Sequence, residues 1–301
     1  MKLEKPFAEK RACILVINLL FIVFLISCSG TSNQPNPATP EGRFELAKQN
    51  FSIAKYDKAL EYTAKILRDT PNHELAGSAA LMQMTIYGGL AEGCRQLGKT
   101  YADGRMMTRD VRIKNDFRNT AFDYYRRQKA YILNFVEGFD AYSKKMDKTK
   151  PVSYQGVYPQ IEAGPRIFLE KVKKGLPIAE EDRSKDEEEE LKNGVLTVLT
   201  QLAGVADDRA KAKTLFAAGP ISVDTGEFLL AIAKILHEQD VLFDRLQLNE
   251  LTNFRMFCDR TNTTVTESLD LLKAKGDKKK IDAAAQLKKD CDAMMKQFKK
   301  K

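Results

Sequence analysis

Residues 41–71 read EGRFELAKQNFSIAKYDKALEYTAKILRDTP, and their spacing sets the fold class. Phe44, Ala47 and Phe51 recur at intervals of three and four. After a break at Ala54-Lys55, Tyr56, Ala59, Leu60, Thr63, Ile66 and Leu67 do the same. With 3.6 residues per turn, such spacing gathers apolar side chains on one stripe of a helix. Two short helices, each apolar on one side, are therefore expected. Thr70-Pro71 then reads as an N-cap followed by proline at the first position of a third helix.

The same period continues towards the C-terminus. Leu75 to Leu97 reads as a second helical pair, with Gly88-Gly89 in its middle marking close helix–helix approach or a break. Residues 110–147 read as one long helix carrying Phe117, Phe122, Tyr125, Ile132, Phe135, Val136 and Phe139. Residues 148–160, KTKPVSYQGVYPQ, form a Pro/Gly loop, and a short helix from Ile161 to Lys174 follows, with a later start after Gly164-Pro165 as the alternative. Ser184-Lys185-Asp186-Glu187 and Asp224-Thr225-Gly226-Glu227 read as helix caps. Phe228 to Leu246 is the most apolar helix and is expected to be central. Asn249 is read as capping a helix to Arg260, Thr264 as capping the next, and a last helix starts at Lys278. No stretch alternates with period two, so no sheet is expected. The reading is an all-α, irregular multi-helix domain of eleven or twelve helices over 41–301. Its helical pairs, about 41–105, pack on a helical bundle, about 106–301.

The first helical pair resembles one tetratricopeptide repeat. Leu46, Ala47, Tyr56, Ala59 and Pro71 fill five places of that pattern, while Arg43 and Asn50 stand where aromatic residues are usual. The resemblance implies a scaffold of stacked helical pairs, because one repeat alone cannot bury its apolar face.

Working back to the start, Lys2, Lys5, Lys10 and Arg11 precede an apolar run from Ala12 to Ile26. Fifteen helical residues span about 22 Å, short of a hydrocarbon core of about 30 Å. This is the length of a signal-peptide core ending at the small Ser27. Leu25-Ile26-Ser27-Cys28 resembles the lipobox of bacterial lipoproteins, whose cysteine is acylated and becomes the first mature residue. The resemblance implies a signal peptide over 1–27 and palmitate-type acylation of Cys28. Two or more acyl chains at about 0.8 kcal/mol per buried CH₂ anchor stably where one does not. Residues 29–40, SGTSNQPNPATP, lack apolar periodicity and read as a tether reaching almost 40 Å at about 3.1 Å per residue. Ser29, rather than Asp, after the cysteine implies by the same resemblance an outer membrane facing the periplasm. The layout of anchor, tether and helices is also similar to outer-membrane assembly lipoproteins with tetratricopeptide repeats. It is similar as well to the helical lipoproteins associated with tripartite ATP-independent periplasmic transporters, which implies a ligand cavity among the helices.

Residues 1–27 carry four basic and two acidic side chains, leaving 45 Lys+Arg against 39 Asp+Glu beyond them. In an exported chain this surplus argues for anionic lipid or an acidic protein surface rather than nucleic acid. Cys94, Cys258 and Cys291 lack metal-ligand spacing and read as buried small hydrophobes, with a Cys258–Cys291 disulfide as the alternative. His73 and His237 stand in unrelated segments and read as ordinary surface or core residues. No P-loop, dinucleotide, H-E-x-x-H or G-x-S-x-G pattern occurs, so no cofactor, metal or catalytic residue is assigned.

Candidate binding residues come from two places. Arg105, Arg109 and Arg112, on one helix face if a helix begins that early, with Tyr124 and Tyr125 interleaved, suit a carboxylate or phosphate, or else pair with the acidic run 180–190. Tyr154 and Tyr158 lie in the Pro/Gly loop, where they suit a partner groove or pack on the helices. The Lys-rich tail from Lys273 suits an anionic membrane or a plain solvated face. The function expected is a non-enzymatic, lipid-anchored envelope scaffold binding a protein or small anionic ligand. A transporter-associated ligand-binding component and a carboxylate-dependent hydrolase are the alternatives.

Overall fold

Thr39 opens the first helix of the domain, α1 (Pro40–Ser52), by accepting the Gly42 N–H at 3.1 Å, and Pro40 occupies the first turn, where its missing N–H costs nothing. The computed structural model describes residues 35–161, 164–206, 208–245 and 251–298, the last few residues before and after 246–250 and at the C-terminal end by backbone only. The signal-like segment, Cys28 and Asn249 lie outside the described residues. Ala54, at φ 59°, turns the chain into α2 (Tyr56–Asp69). Phe44, Ala47 and Phe51 are buried with Tyr56, Ala59 and Ile66, so the two stripes form one seam.

The centre of the molecule is α3 (Leu75–Met107), 33 residues and about 50 Å long. It turns through residues 108–110 into α4 (Val111–Ser143), whose N-cap Asp110 accepts the N–H groups of Arg112 at 2.7 Å and Ile113 at 3.2 Å. Strand β1 (Val152–Tyr154), α5 (Ile167–Lys173), α6 (Glu180–Leu202), α7 (Arg209–Ala218) and strand β2 (Ile221–Val223) follow. The chain ends in α8 (Thr225–Arg245), α9 (Leu251–Lys275) and α10 (Lys278–Phe298). The strands pair antiparallel, Ser153 opposite Ser222.

Glycines on α3 set how closely its neighbours approach. A Cβ at Gly89 would fall 2.2 Å from the Val195 Cα, and one at Gly194 would fall 2.2 Å from the Gly89 carbonyl oxygen. Gly93 meets the Leu191 Cα at 2.8 Å on the same count, so α3 and α6 touch backbone to backbone. Further along, Gly98 is covered by the Tyr125 ring of α4 and Gly104 by the Val172 carbonyl of α5. Around this spine the largest apolar cluster unites Phe51, Met84, Phe135, Val198 and Ile235. A second gathers Leu97, Tyr101, Phe117 and Leu169 at the far end of α3. The third holds α8, α9 and α10 together through Leu230, Val265, Leu272 and Leu287.

The all-α architecture is as expected, with ten helices among the described residues, but several details differ. The expected pair over 75–97 is a single helix, because Gly88-Gly89 admits close packing rather than a break. Thr70 ends α2 instead of opening α3: its N–H and its hydroxyl both donate to the Ile66 carbonyl. Ser184 lies inside α6, which starts four residues earlier at Glu180. Thr264 lies inside α9, its hydroxyl donating to the Arg260 carbonyl. The short helix after the Pro/Gly loop takes the later of its two expected starts, at Ile167 after Gly164-Pro165. A small sheet exists where none was expected, because three-residue strands are too short to show alternation. Of the caps read within the described residues, the one at Asp224 is where it was read, accepting the Glu227 N–H at 3.1 Å. Helix α8 is buried on two faces, contributing Phe228, Leu229 and Ile232 to one cluster and Leu230 and Ala233 to another, yet the central place belongs to α3.

Gly194→Ala gains about 1 kcal/mol of helix propensity and loses more to overpacking, since its Cβ meets backbone that cannot rotate away. Urea unfolding is expected to show a net loss of about 2 kcal/mol or more, or failure to fold. Gly77→Ala on α3, whose Cβ would meet only the Tyr142 ring at 3.9 Å, is expected to be neutral or to stabilise by up to about 1 kcal/mol.

Candidate functional site

Gly77 is spacious because no described element covers the N-terminal part of α3 on one side. Ala76, Gly77 and Ala80 of α3 face Gly138 and Ala141 of α4 there, and Ala64 of α2 closes the third side. These side chains are too short to fill the gap between the helices. The result is a groove of about 890 Å³, within the size range of small-ligand sites. Leu67, Tyr87, Tyr142 and Met146 form its walls, and Pro151 to Ser153 its end.

The aromatic walls are held from behind. The Tyr142 ring meets Phe228 edge-on at 6.0 Å, and Tyr87 leans on Tyr131 at 6.5 Å. Burial pushes the Tyr142 phenol up to about 12, and burial, then Asp57 and Glu137, raise that of Tyr87. Both therefore stay protonated donors at neutral pH. The rim carries Glu137 and Asp147 against Lys145 and Lys150. Lys145 donates to the Pro71 carbonyl at 3.0 Å and Lys150 pairs with Asp147 at 3.2 Å. His73 Nδ1 accepts the Leu75 N–H at 3.3 Å, so the Nε2 proton faces Glu41 at 3.0 Å. With two ammonium groups balanced by two carboxylates, the groove has no strong charge preference.

None of the residues expected to bind lines this groove. Arg105 ends α3, Arg109 sits in the turn and Arg112 begins α4, so the three do not share a helix face. Tyr124 is buried, stacked on Tyr101 at 6.1 Å with the rings 9° apart, and Arg127 lies over it. Tyr125 covers Gly98. Tyr154 is in β1, fully packed and edge-on to Phe216 at 5.6 Å, and Tyr158 packs on the same ring at 6.3 Å. In this structure these tyrosines pack against neighbouring rings and backbone. Sequence reasoning missed the groove, whose one signal was the run of Ala and Gly at 76, 77 and 80 facing that at 138 and 141.

The acidic run serves the interior. Asp186, buried on α6, accepts the N–H groups of Phe168 at 2.7 Å and Leu169 at 3.0 Å and thereby caps α5 from outside it. Glu187 accepts the Tyr101 hydroxyl at 2.6 Å, Glu189 the Gly164 N–H at 3.3 Å, and Glu190 pairs with Arg166. Arg183 in the same run donates to the Thr120 hydroxyl at 2.7 Å and to Glu187 at 3.1 Å, under the Tyr101 ring. The hollow of about 210 Å³ beside Arg112 and Arg183 is thus already supplied with carboxylates and is poorly suited to an anion. In the C-terminal helices Lys275 pairs with Asp224 and Lys280 with Glu227, so part of the basic tail is engaged within the chain.

Cys94, Cys258 and Cys291 are buried in three different clusters and no disulfide joins them; burial pushes the Cys94 thiol up to about 12, Arg127 opposing only weakly. Among the described residues no group of three or more His, Cys, Asp or Glu is placed to hold a metal ion. Comparison with family models, with curated proteins and with solved structures returned no match.

His237, half-buried beside Cys291 at 3.9 Å, has its pKa lowered by burial, with Asp290 opposing. Its folded pKa lies below the unfolded value of about 6.5, so its stability contribution is complete above that pH and is lost as pH falls through the folded pKa. Thermal midpoints are expected to fall from pH 7 to pH 5, and His237→Gln to flatten that slope. An unchanged slope would show that His237 does not carry the pH dependence.

Proposed function

We propose that this chain is a lipid-anchored, non-enzymatic binding scaffold of the bacterial cell envelope, and that the groove between α2, α3 and α4 is where it takes its ligand. The observation that carries the reading is the groove itself, lined by Ala and Gly of α3 and α4, with Gln83 and Asn134 on the same stripes and further donors and acceptors at the walls and rim. Its chemistry suits a ligand with an apolar body, polar ends and little net charge, a small molecule or a short peptide segment. The balanced rim argues against the small anion expected from the arginines.

The anchoring half of the proposal rests on the basic start, the apolar run and Leu25-Ile26-Ser27-Cys28. No helix among the described residues is long and apolar enough to cross a membrane. Ser29 supports the outer membrane, facing the periplasm. A role beside a transporter uses the same groove and differs only in the partner that receives the ligand.

Protein isolated from its native membranes is expected to carry one stoichiometric small molecule or peptide by native mass spectrometry. Gly77→Leu puts a side chain into the groove without meeting backbone, so it should fold normally and arrive empty. Retention of the same ligand by that variant would remove the groove from the account. Cys28→Ser is expected to leave the precursor uncleaved and without palmitate label; normal processing and labelling would end the lipoprotein reading.

A further inference from the structure

The closed end of the α3–α4 hairpin carries an uncovered surface that the groove does not use. Eight large apolar side chains are exposed among the described residues, and four of them are here: Met106, Met107, Val111 and Leu176. Met106 is 77% exposed, Val111 70% and Met107 65%, more than isolated surface residues need explain when they stand side by side. Leu176 joins them because Gly175, at φ 75°, brings the turn after α5 against Met107 and Thr108. A Cβ on Gly175 would lie 2.7 Å from the Thr108 nitrogen.

Cations surround this patch. Arg109, Arg112, Lys114 and Lys174 are exposed beside it, and Lys173 is held by Glu170 at 2.7 Å. Within residues 105–114 and 171–176 the one acid is Asp110, and its carboxylate is occupied as the N-cap of α4. Apolar side chains inside a cationic collar match the interface of an anionic bilayer, where the former enter the headgroup boundary and the latter meet phosphates. Two flexible methionines and no aromatic side chain among the four suit a fluid surface better than a fitted protein partner. We propose that this tip docks on an anionic lipid surface. The groove begins at Tyr87, about 25 Å back along α3 from Gly104, so a docked tip leaves the groove mouth in water.

The chain has no tryptophan, so Met107→Trp in the full chain provides a single reporter, and Ile53→Trp at the α1–α2 turn a control. Both are compared on phosphatidylcholine vesicles and on vesicles with one part phosphatidylglycerol in three. Blue-shifted emission and quenching by brominated acyl chains are expected for Met107→Trp on the anionic vesicles only, with Ile53→Trp unchanged on both. Adding Arg109→Gln and Arg112→Gln should weaken this partition about 25-fold, roughly fivefold per cation. A reporter that stays wet on anionic vesicles, or responds equally to both kinds, overturns the proposal. So does one that shifts only on adding an acidic envelope protein, which would assign the tip to a protein partner.

Discussion

Backbone contact between α3 and α6 at Gly89, Gly93 and Gly194 is the constraint on which the remaining packing depends. Glycine inside a helix costs about 1 kcal/mol in conformational entropy, and α3 carries six. That cost is offset where the missing Cβ lets a neighbouring backbone or ring close in, because dispersion contacts are lost over gaps of even half an ångström. Five of the six are so covered, by Phe135, Val195, Leu191, Tyr125 and Val172 in turn. The positions of α4, α5 and α6 about the central helix follow from those five approaches.

Gly77 is the exception, and the groove lies where it stands. With Ala76 and Ala80 it continues the small-residue character of α3 into a part of the helix that no other described element fills. One compositional feature thus gives both backbone-to-backbone packing and an open groove, depending on whether a neighbour arrives. The acidic run on α6 fits the same scheme. Asp186, Glu187 and Glu190 fasten α5 and α3 to the face that the glycines bring close.

The helices legible in the sequence were those with one buried side. Phe44, Ala47 and Phe51, or Phe117 to Phe139, draw a stripe because the opposite face meets water. Helix α3 draws none: Ala79, Met82, Met84, Leu90 and Leu97 are buried all round it, so it looked like a broken pair. Cap patterns misled where they recur inside helices, as at Ser184 and Thr264, since a short polar side chain followed by an acid is common on a solvated face. The β1–β2 pair joins segments some seventy residues apart, which no local period reports. Tyr124 beside the arginines and Tyr154 in the Pro/Gly loop suggested binding residues, yet in this structure both pack against neighbouring rings. The groove was hidden for the converse reason, because it is built from residues that contribute almost no side chain.

If the glycine contact is the keystone, α3 should open only when the whole domain unfolds. Hydrogen exchange followed by mass spectrometry on the native protein measures this directly. Peptides covering residues 85–97 are expected to be the slowest in the chain, exchanging with the free energy of global unfolding and more slowly than α10. Exchange there as fast as in α10, or well before global unfolding, would contradict the account.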